Sequence, residues 1–209
     1  LNITKDLKDY ISGIKLGLQF FSKNGPGGIK AFSEFKIPIF LDLKFFDITN
    51  TVTNAIKSLD GLPISYTSIH LSSGMETLLA AKKVADSLSK PIKLLGISVL
   101  TSFSEKNLSE VGVKNSVEQQ VDILAQLAKD ARLHGIVCSS HEIKKIRNIC
   151  KEMEIFVPGI RLEQNKDDQK RVVTPREAID SGADYLVIGR PITTGNPLEN
   201  IKKIINSLS

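Results

Sequence analysis

Seven short apolar runs separated by longer segments with helical spacing constrain this chain more than any other feature. They fall at residues 13–17, 37–44, 64–71, 92–100, 135–140, 155–161 and 185–190. Between them, segments such as 116–131 and 140–153 place apolar residues three and four apart, on one helical face. Apolar runs without polar alternation make strands covered on both sides, and regular strand–helix alternation makes a parallel sheet. Three helix starts carry a cap residue three before an acid: Ser73 with Glu76, Thr174 with Glu177, and Asn196 with Glu199, the last two with Pro at the first helical position. A closed barrel of this kind has eight strands. Residues 1–10 read as a helix, so the sequence starts inside the first βα unit and its first strand is missing. The expected architecture is one α/β domain spanning 1–209, a (β/α)8 TIM barrel lacking its first strand; an open seven-stranded sheet is the alternative.

Composition narrows the function classes. With 41% hydrophobic and 24% charged residues the chain reads as an ordinary soluble domain, and no apolar run is long enough to span a bilayer. The net charge of +5 is modest, Trp is absent, and the basic clusters at 82–83 and 144–147 read as solvated helix faces. Neither a nucleic-acid stripe nor a base-stacking surface is expected. Two cysteines, Cys138 and Cys150, have no metal-ligand spacing and read as buried thiols of a reducing cytosol.

The stretch I-F-L-D-L-K-F-F-D-I-T-N-T-V (39–52) breaks the apolar pattern. Asp42, Lys44 and Asp47 arrive within six residues at the end of a core strand, where desolvating charge is costly. Strand alternation points Asp42 and Lys44 the same way. Flanking carboxylates hold Lys44 as an ammonium, a poor nucleophile and a good proton donor to a carbanion. The bland reading is a strand-end ion pair with Asp47 capping the next helix.

A second constellation follows the last two strands: P-G-I-R (158–161) and I-G-R-P (188–191). Loops after these strands are the usual phosphate-binding place of such barrels. Arg161 and Arg190 offer planar forks for phosphate oxygens, and Gly189 permits close backbone approach. The polar segment 162–173 between them reads as a mobile lid from which Gln169 reaches a phosphate, with a solvated loop without function as the competing reading.

Five pieces in order resemble the orotidine 5′-phosphate decarboxylase family: L-D-L-K-F-F-D-I-T-N-T (41–51), V-L-T-S (99–102), P-G-I-R (158–161), D-D-Q-K-R (167–171) and D-Y-L-V-I-G-R-P-I-T (184–193). I-K-L-G (14–17) and Gly25-Pro26 add to it. The resemblance covers nearly the whole chain. It implies decarboxylation of orotidine 5′-phosphate to uridine 5′-phosphate without metal or cofactor, in a cytoplasmic homodimer. Lys44 resembles the lysine that protonates C6, Asp42 and Asp47 its flanking carboxylates, with Asp47 serving the partner's site. Lys15 resembles the lysine that bonds the ribose and the nearer aspartate, and Thr101 the threonine that contacts the base. Thr51 ends the nucleotide-contacting segment, and Arg161, Gln169, Gly189 and Arg190 match the phosphate clamp. The chain departs from the family at Phe46 (commonly His), at Thr49 (commonly Pro), after His70, and in the missing first strand with its ribose-binding aspartate; altered packing with the mechanism kept is expected at the first two. His70 reads as a structural or interface residue.

A sister group of phosphosugar enzymes in the same superfamily, the 3-keto-L-gulonate 6-phosphate decarboxylases and hexulose phosphate synthases, also carries D-x-K-x-x-D and uses magnesium. A catalytically silent nucleotide-binding barrel is the non-enzyme alternative.

Overall fold

The computed structural model describes residues 1–161 and 173–208. Seven strands form one parallel sheet in chain order: β1 (Ile14–Gly17), β2 (Ile39–Phe45), β3 (Tyr66–His70), β4 (Lys93–Ile97), β5 (Gly135–Val137), β6 (Glu154–Pro158) and β7 (Tyr185–Val187). The helices are α1 (Asn2–Leu7), α2 (Leu18–Lys30), α3 (Thr49–Lys57), α4 (Gly74–Ser87), α5 (Glu105–Glu110), α6 (Val117–Asp130), α7 (Ile143–Ile149), α8 (Pro175–Asp180), α9 (Arg190–Thr193) and α10 (Pro197–Asn206). The sheet curls into a nearly closed TIM barrel whose two ends, β1 and β7, have no strand partner on their outer sides among the described residues.

The pleat sorts each strand into two cores. On β2, Ile39 and Leu41 join the large layer between sheet and helices, with Ile56, Ile64 and Leu78. Phe40 points the other way, into a cluster with Tyr66, Leu95 and Phe156. Phe40 on β2 reaches Phe156 on β6 at a centroid distance of 5.7 Å, although three strands separate them along the sheet. That contact crosses the barrel lumen, so the interior is packed with side chains and is no pore. Tyr185 stacks on Phe156 at 4.4 Å and completes this aromatic floor. Gly135 on β5 makes room for it: a Cβ there would lie 2.5 Å from the Glu154 carbonyl and 2.7 Å from Leu95 Cδ2. Each fully buried Ile or Leu contributes about 1.5–3 kcal/mol through burial, so the helix-side layer carries most of the stability. The rim opens where the strands end, and charge collects there.

Several sequence expectations change in detail. Strands β3 to β7 stop earlier than their apolar runs, because the run ends peel off into turns, whereas β1 ends with its run and β2 extends one residue past it. The P-G turn, with Gly159 at φ 82°, carries Arg161 off the end of β6, and Arg190 is the first residue of α9 with Gly189 as its N-cap. The caps at Thr174 and Asn196 form as expected. Ser73 does not cap α4: its backbone is helical and its buried hydroxyl has no partner among the described residues. The helical pattern over 140–153 divides into a 3-10 turn (Ser140–Glu142) and α7. Arg147 is no solvated helix residue. Its guanidinium donates to the carbonyls of Lys151, Met153 and Gly182 and pairs with Asp184, tying α7 to the starts of β6 and β7. Cys138, just past β5, and Cys150, at the end of α7, are free and buried.

Candidate active site

The site is built on the C-terminal half of β2. Up to Leu41 the strand pairs regularly with β3, Phe40 opposite Tyr66 and Leu41 opposite Thr67; the next matched pair is Phe45 opposite Ile69. Four residue steps on β2 thus face two on β3, which is a bulge. Lys44 sits inside it at φ 51°, the left-handed region that residues with a Cβ rarely adopt. Leu43 packs into the helix-side core, so Asp42 and Lys44 are left on the lumen side.

There the two side chains meet. Lys44 Nζ donates to Asp42 Oδ2 at 2.7 Å, and Lys15 Nζ, arriving from β1, lies 3.1 Å from the same oxygen. Register sets this up, since Gly17 of β1 stands opposite Asp42 and the Lys15 ammonium lies 3.5 Å from where a Gly17 Cβ would be. Asp42 is 5% exposed, while both lysine side chains are about one-third exposed and face the mouth. Burial pushes the Asp42 carboxyl upward. The Lys15 charge, the Lys44 hydrogen bond and charge, and a hydrogen bond from Ser68 outweigh it and hold Asp42 below the ordinary carboxylate value. Two cations on one buried anion leave the cluster with surplus positive charge. Such a cluster stabilises negative charge arriving or forming beside it.

The other expected residues are placed as follows. Asp47 does not flank Lys44 within the chain. It is exposed on the rim beyond β2, and its Oδ1 accepts the Ile48 N–H at 2.7 Å. Its neighbours Phe46 and Ile48 are 63% and 71% exposed, an apolar pair on either side of an acid. Thr51 lies exposed in the first turn of α3, and Thr101 in an exposed turn after β4. Arg161 is half-buried and donates to the Ile160 carbonyl at 2.9 Å. Gly189 and Arg190 are exposed, and a Cβ on Gly189 would touch no atom of the described residues. All of these lie at or past the C-terminal ends of parallel strands, hence at one mouth of the barrel. Gln169 and all of the expected lid (162–173) but Val173 lie outside the described residues.

The departures from the family pattern have local partners. Phe46 stacks on His70 at 5.3 Å, and the Thr49 and Thr77 hydroxyls pair at 2.8 Å, joining α3 to α4. His70 Nδ1 accepts the Ser72 N–H, and burial first, then the Lys44 charge, pushes its pKa down, so it is a neutral structural residue near neutral pH. Sequence reading missed Ser68. A serine inside an apolar strand carries no signal unless the bulge opposite it is known.

The family model described as orotidine 5′-phosphate decarboxylase / HUMPS matches residues 1–204. The orotidine 5′-phosphate decarboxylase of Wolbachia pipientis subsp. Culex pipiens is 45% identical over 205 residues, 97% of this chain and 90% of that protein. That of Ehrlichia canis is 44% identical over 211 residues, 100% of this chain and 92% of that protein. Among solved structures, orotidine 5′-phosphate decarboxylase from Lactobacillus acidophilus superposes with a TM-score of 0.81 at 33% identity, covering 93% of this chain and 85% of that one. With this sequence similarity along its whole length and the same barrel around a lysine–aspartate–lysine mouth, the chain belongs to the orotidine 5′-phosphate decarboxylase / HUMPS family.

Proposed function

We infer that this chain decarboxylates orotidine 5′-phosphate to uridine 5′-phosphate, the last step of de novo UMP synthesis. The relatives bearing that name match it end to end. The observation that carries the mechanism is the convergence of Lys15 and Lys44 on the buried Asp42 at the barrel mouth. When the C6 carboxylate leaves as carbon dioxide, the bonding electron pair stays on C6, where no adjacent group absorbs it. The Lys44 ammonium stabilises that pair electrostatically and then transfers one proton to C6, leaving a neutral amine and uridylate. Asp42 holds the Lys44 side chain in place until then. Lys15 pairs with the same Asp42 oxygen, supplies the cluster's surplus positive charge and faces the ribose. Thr101 contacts the base, Thr51 lies along the nucleotide, and Arg161, Gln169, Gly189 and Arg190 grip the phosphate. Binding energy collected at that remote end serves the chemical step at C6. The open space at Gly189 favours this role, since among the described residues no atom lies within 4 Å of where its Cβ would be.

The reaction uses no metal or cofactor in this reading. Both Asp42 oxygens are already engaged, Oδ2 by two ammonium groups and Oδ1 by Ser68, so a magnesium ion would have to displace a lysine. This favours the nucleotide decarboxylase over the magnesium-dependent phosphosugar enzymes of the superfamily. The working unit is a homodimer of the 1–209 domain in which Asp47 reaches the partner's Lys44 and Phe46 and Ile48 are covered at the interface. We place it in the cytoplasm, which the two free thiols favour. The test is an orotidylate absorbance assay with added chelator. Turnover persists with chelator in the parent protein; in Lys44→Ala it falls by at least about a thousandfold while uridylate binding survives. Near-normal turnover by that variant overturns the mechanism, and chelator sensitivity overturns the metal-free reading.

A further inference from the structure

Ser68 is fully buried on β3, opposite the bulge of β2. Its hydroxyl makes two hydrogen bonds: it donates to Asp42 Oδ1 at 2.8 Å and accepts the Lys44 backbone N–H at 2.9 Å. The directions follow from the groups themselves, since an ionised carboxylate only accepts and an amide N–H only donates. A closed ring results: Lys44 N–H to Ser68 Oγ, Ser68 to Asp42, and Asp42 back to the Lys44 ammonium.

We propose that Ser68 is a positioning residue of the decarboxylation, whose hydroxyl locks the β2 bulge in the arrangement that sets Lys44 Nζ on Asp42 and toward the reacting carbon. The proposal rests on the reading of Lys44 as proton donor. A bulge leaves ladder groups without their strand partners, and here side chains of β3 supply replacements. Thr67 Oγ1 donates to the Leu41 carbonyl at 2.9 Å where the regular ladder ends, and Ser68 takes the Lys44 N–H where it is to resume. Lys44 is held at φ 51° between these anchors. A residue in the left-handed region persists only where its surroundings over-determine it. Without the Ser68 hydroxyl the Lys44 amide loses its partner and the chain is free to relax toward ordinary strand geometry. Such relaxation swings the lysine stem and moves Nζ relative to both Asp42 and substrate. Asp42 at the same time loses the donor on Oδ1 that helps hold it ionised.

The side chain at this position must therefore donate once and accept once from a single short atom. Threonine does both; alanine and valine do neither. The experiment compares Ser68→Ala and Ser68→Thr with the parent and with Lys44→Ala, as dimers of the full chain. Readouts are kcat, KM for orotidylate, the pH profile of kcat/KM, uridylate affinity and thermal melting. In Ser68→Ala kcat falls about 30- to 100-fold, the scale of a catalytic group misplaced by about 1 Å. KM and uridylate affinity stay within about twofold in the same variant, because the phosphate end that carries binding is untouched. Its acid limb moves to higher pH, since a hydrogen bond to the charged form of Asp42 has been removed. Ser68→Thr restores most of kcat.

A folded Ser68→Ala protein with parental kcat overturns the proposal, as does a loss carried by KM alone. Should the alanine variant not fold, Ser68→Thr decides: retained kcat supports the proposal, and a loss as large as that of a Lys44 variant overturns it. The underlying mechanism fails separately. Lys44→Ala with surviving turnover refutes the proton-donor reading, whereas an inactive Lys44→Ala beside an unaffected Ser68→Ala refutes only the role of Ser68.

Discussion

Mixing two inactive variants tests where Asp47 acts. Within the chain Asp47 is bonded to its own Ile48 N–H on the rim, while Lys44 is engaged by Asp42. If Asp47 completes the partner's site, each site of the dimer takes Lys44 from one chain and Asp47 from the other. Lys44→Ala and Asp47→Ala homodimers then each lack one component at both sites. In a mixed dimer one site loses both components and the other keeps both. Random pairing of equal amounts makes about half the dimers mixed, each with one intact site of two. A two-fold dimer thus recovers about a quarter of parental activity per chain. Co-expression with two different tags, or exchange through mild denaturant, supplies the mixed species, and the orotidylate absorbance assay reads it. If Asp47 acts in its own chain, the mixed dimer has no intact site and gains nothing. A mixture no more active than the sum of its separate components refutes the shared site, and a fully active Asp47→Ala homodimer refutes any need for Asp47.

Two further outcomes follow from the geometry. Arg147→Ala removes donors to the Lys151, Met153 and Gly182 carbonyls and leaves Asp184 with the Ile155 N–H but without its ion-pair partner. We expect a stability loss of about 2 kcal/mol, read as a melting temperature lower by about 4–8 °C, with kcat of the folded protein unchanged; a fall in kcat would contradict a purely architectural role. Asp42 has a folded pKa below its unfolded value of about 3.9, so its contribution to stability is complete above that value and is lost as pH falls through the lower folded one. Asp42→Asn lacks this limb, so its melting temperature changes less on acidification below about pH 4 than that of the parent; parallel acid profiles would contradict the assignment.

The parallel barrel was legible because its evidence is periodic. Apolar runs such as 92–100 and capped helix starts such as Thr174 with Glu177 repeat a local rule, and local rules survive folding. The charge cluster was legible for the opposite reason, since Asp42 and Lys44 break the apolar run that precedes them. What stayed hidden depended on pairing between segments distant in sequence. The bulge is a mismatch between β2 and β3 and has no mark in either strand alone. Ser68 gains its meaning only from that mismatch. Arg147, on a helix that reads as solvated, is half-buried because the Gly182 carbonyl and Asp184, more than thirty residues on, come to it beside the nearby Lys151 and Met153 carbonyls. Ser73 fails as a cap although its spacing is right, because the preceding 3-10 turn already holds its backbone helical.

The site and the core divide the energetics of the fold between them. Removing one partner of a buried ion pair typically costs about 3–5 kcal/mol, yet the intact pair adds little over an apolar pair of similar shape. Asp42 with its two lysines is therefore close to neutral for folding, and Lys44 at positive φ is a net cost. Placing this cluster where β2 leaves the regular ladder keeps the cost local. Just below it, Phe40, Tyr66 and Phe156 fill the lumen and give the mouth a rigid floor. Above that floor the Lys44 ammonium has a carboxylate on one side and solvent or substrate on the other, and the apolar floor prevents retreat into the barrel. The backbone strain at Lys44 thus accompanies a defined placement: the bulged residue holds its ammonium on Asp42 at the mouth.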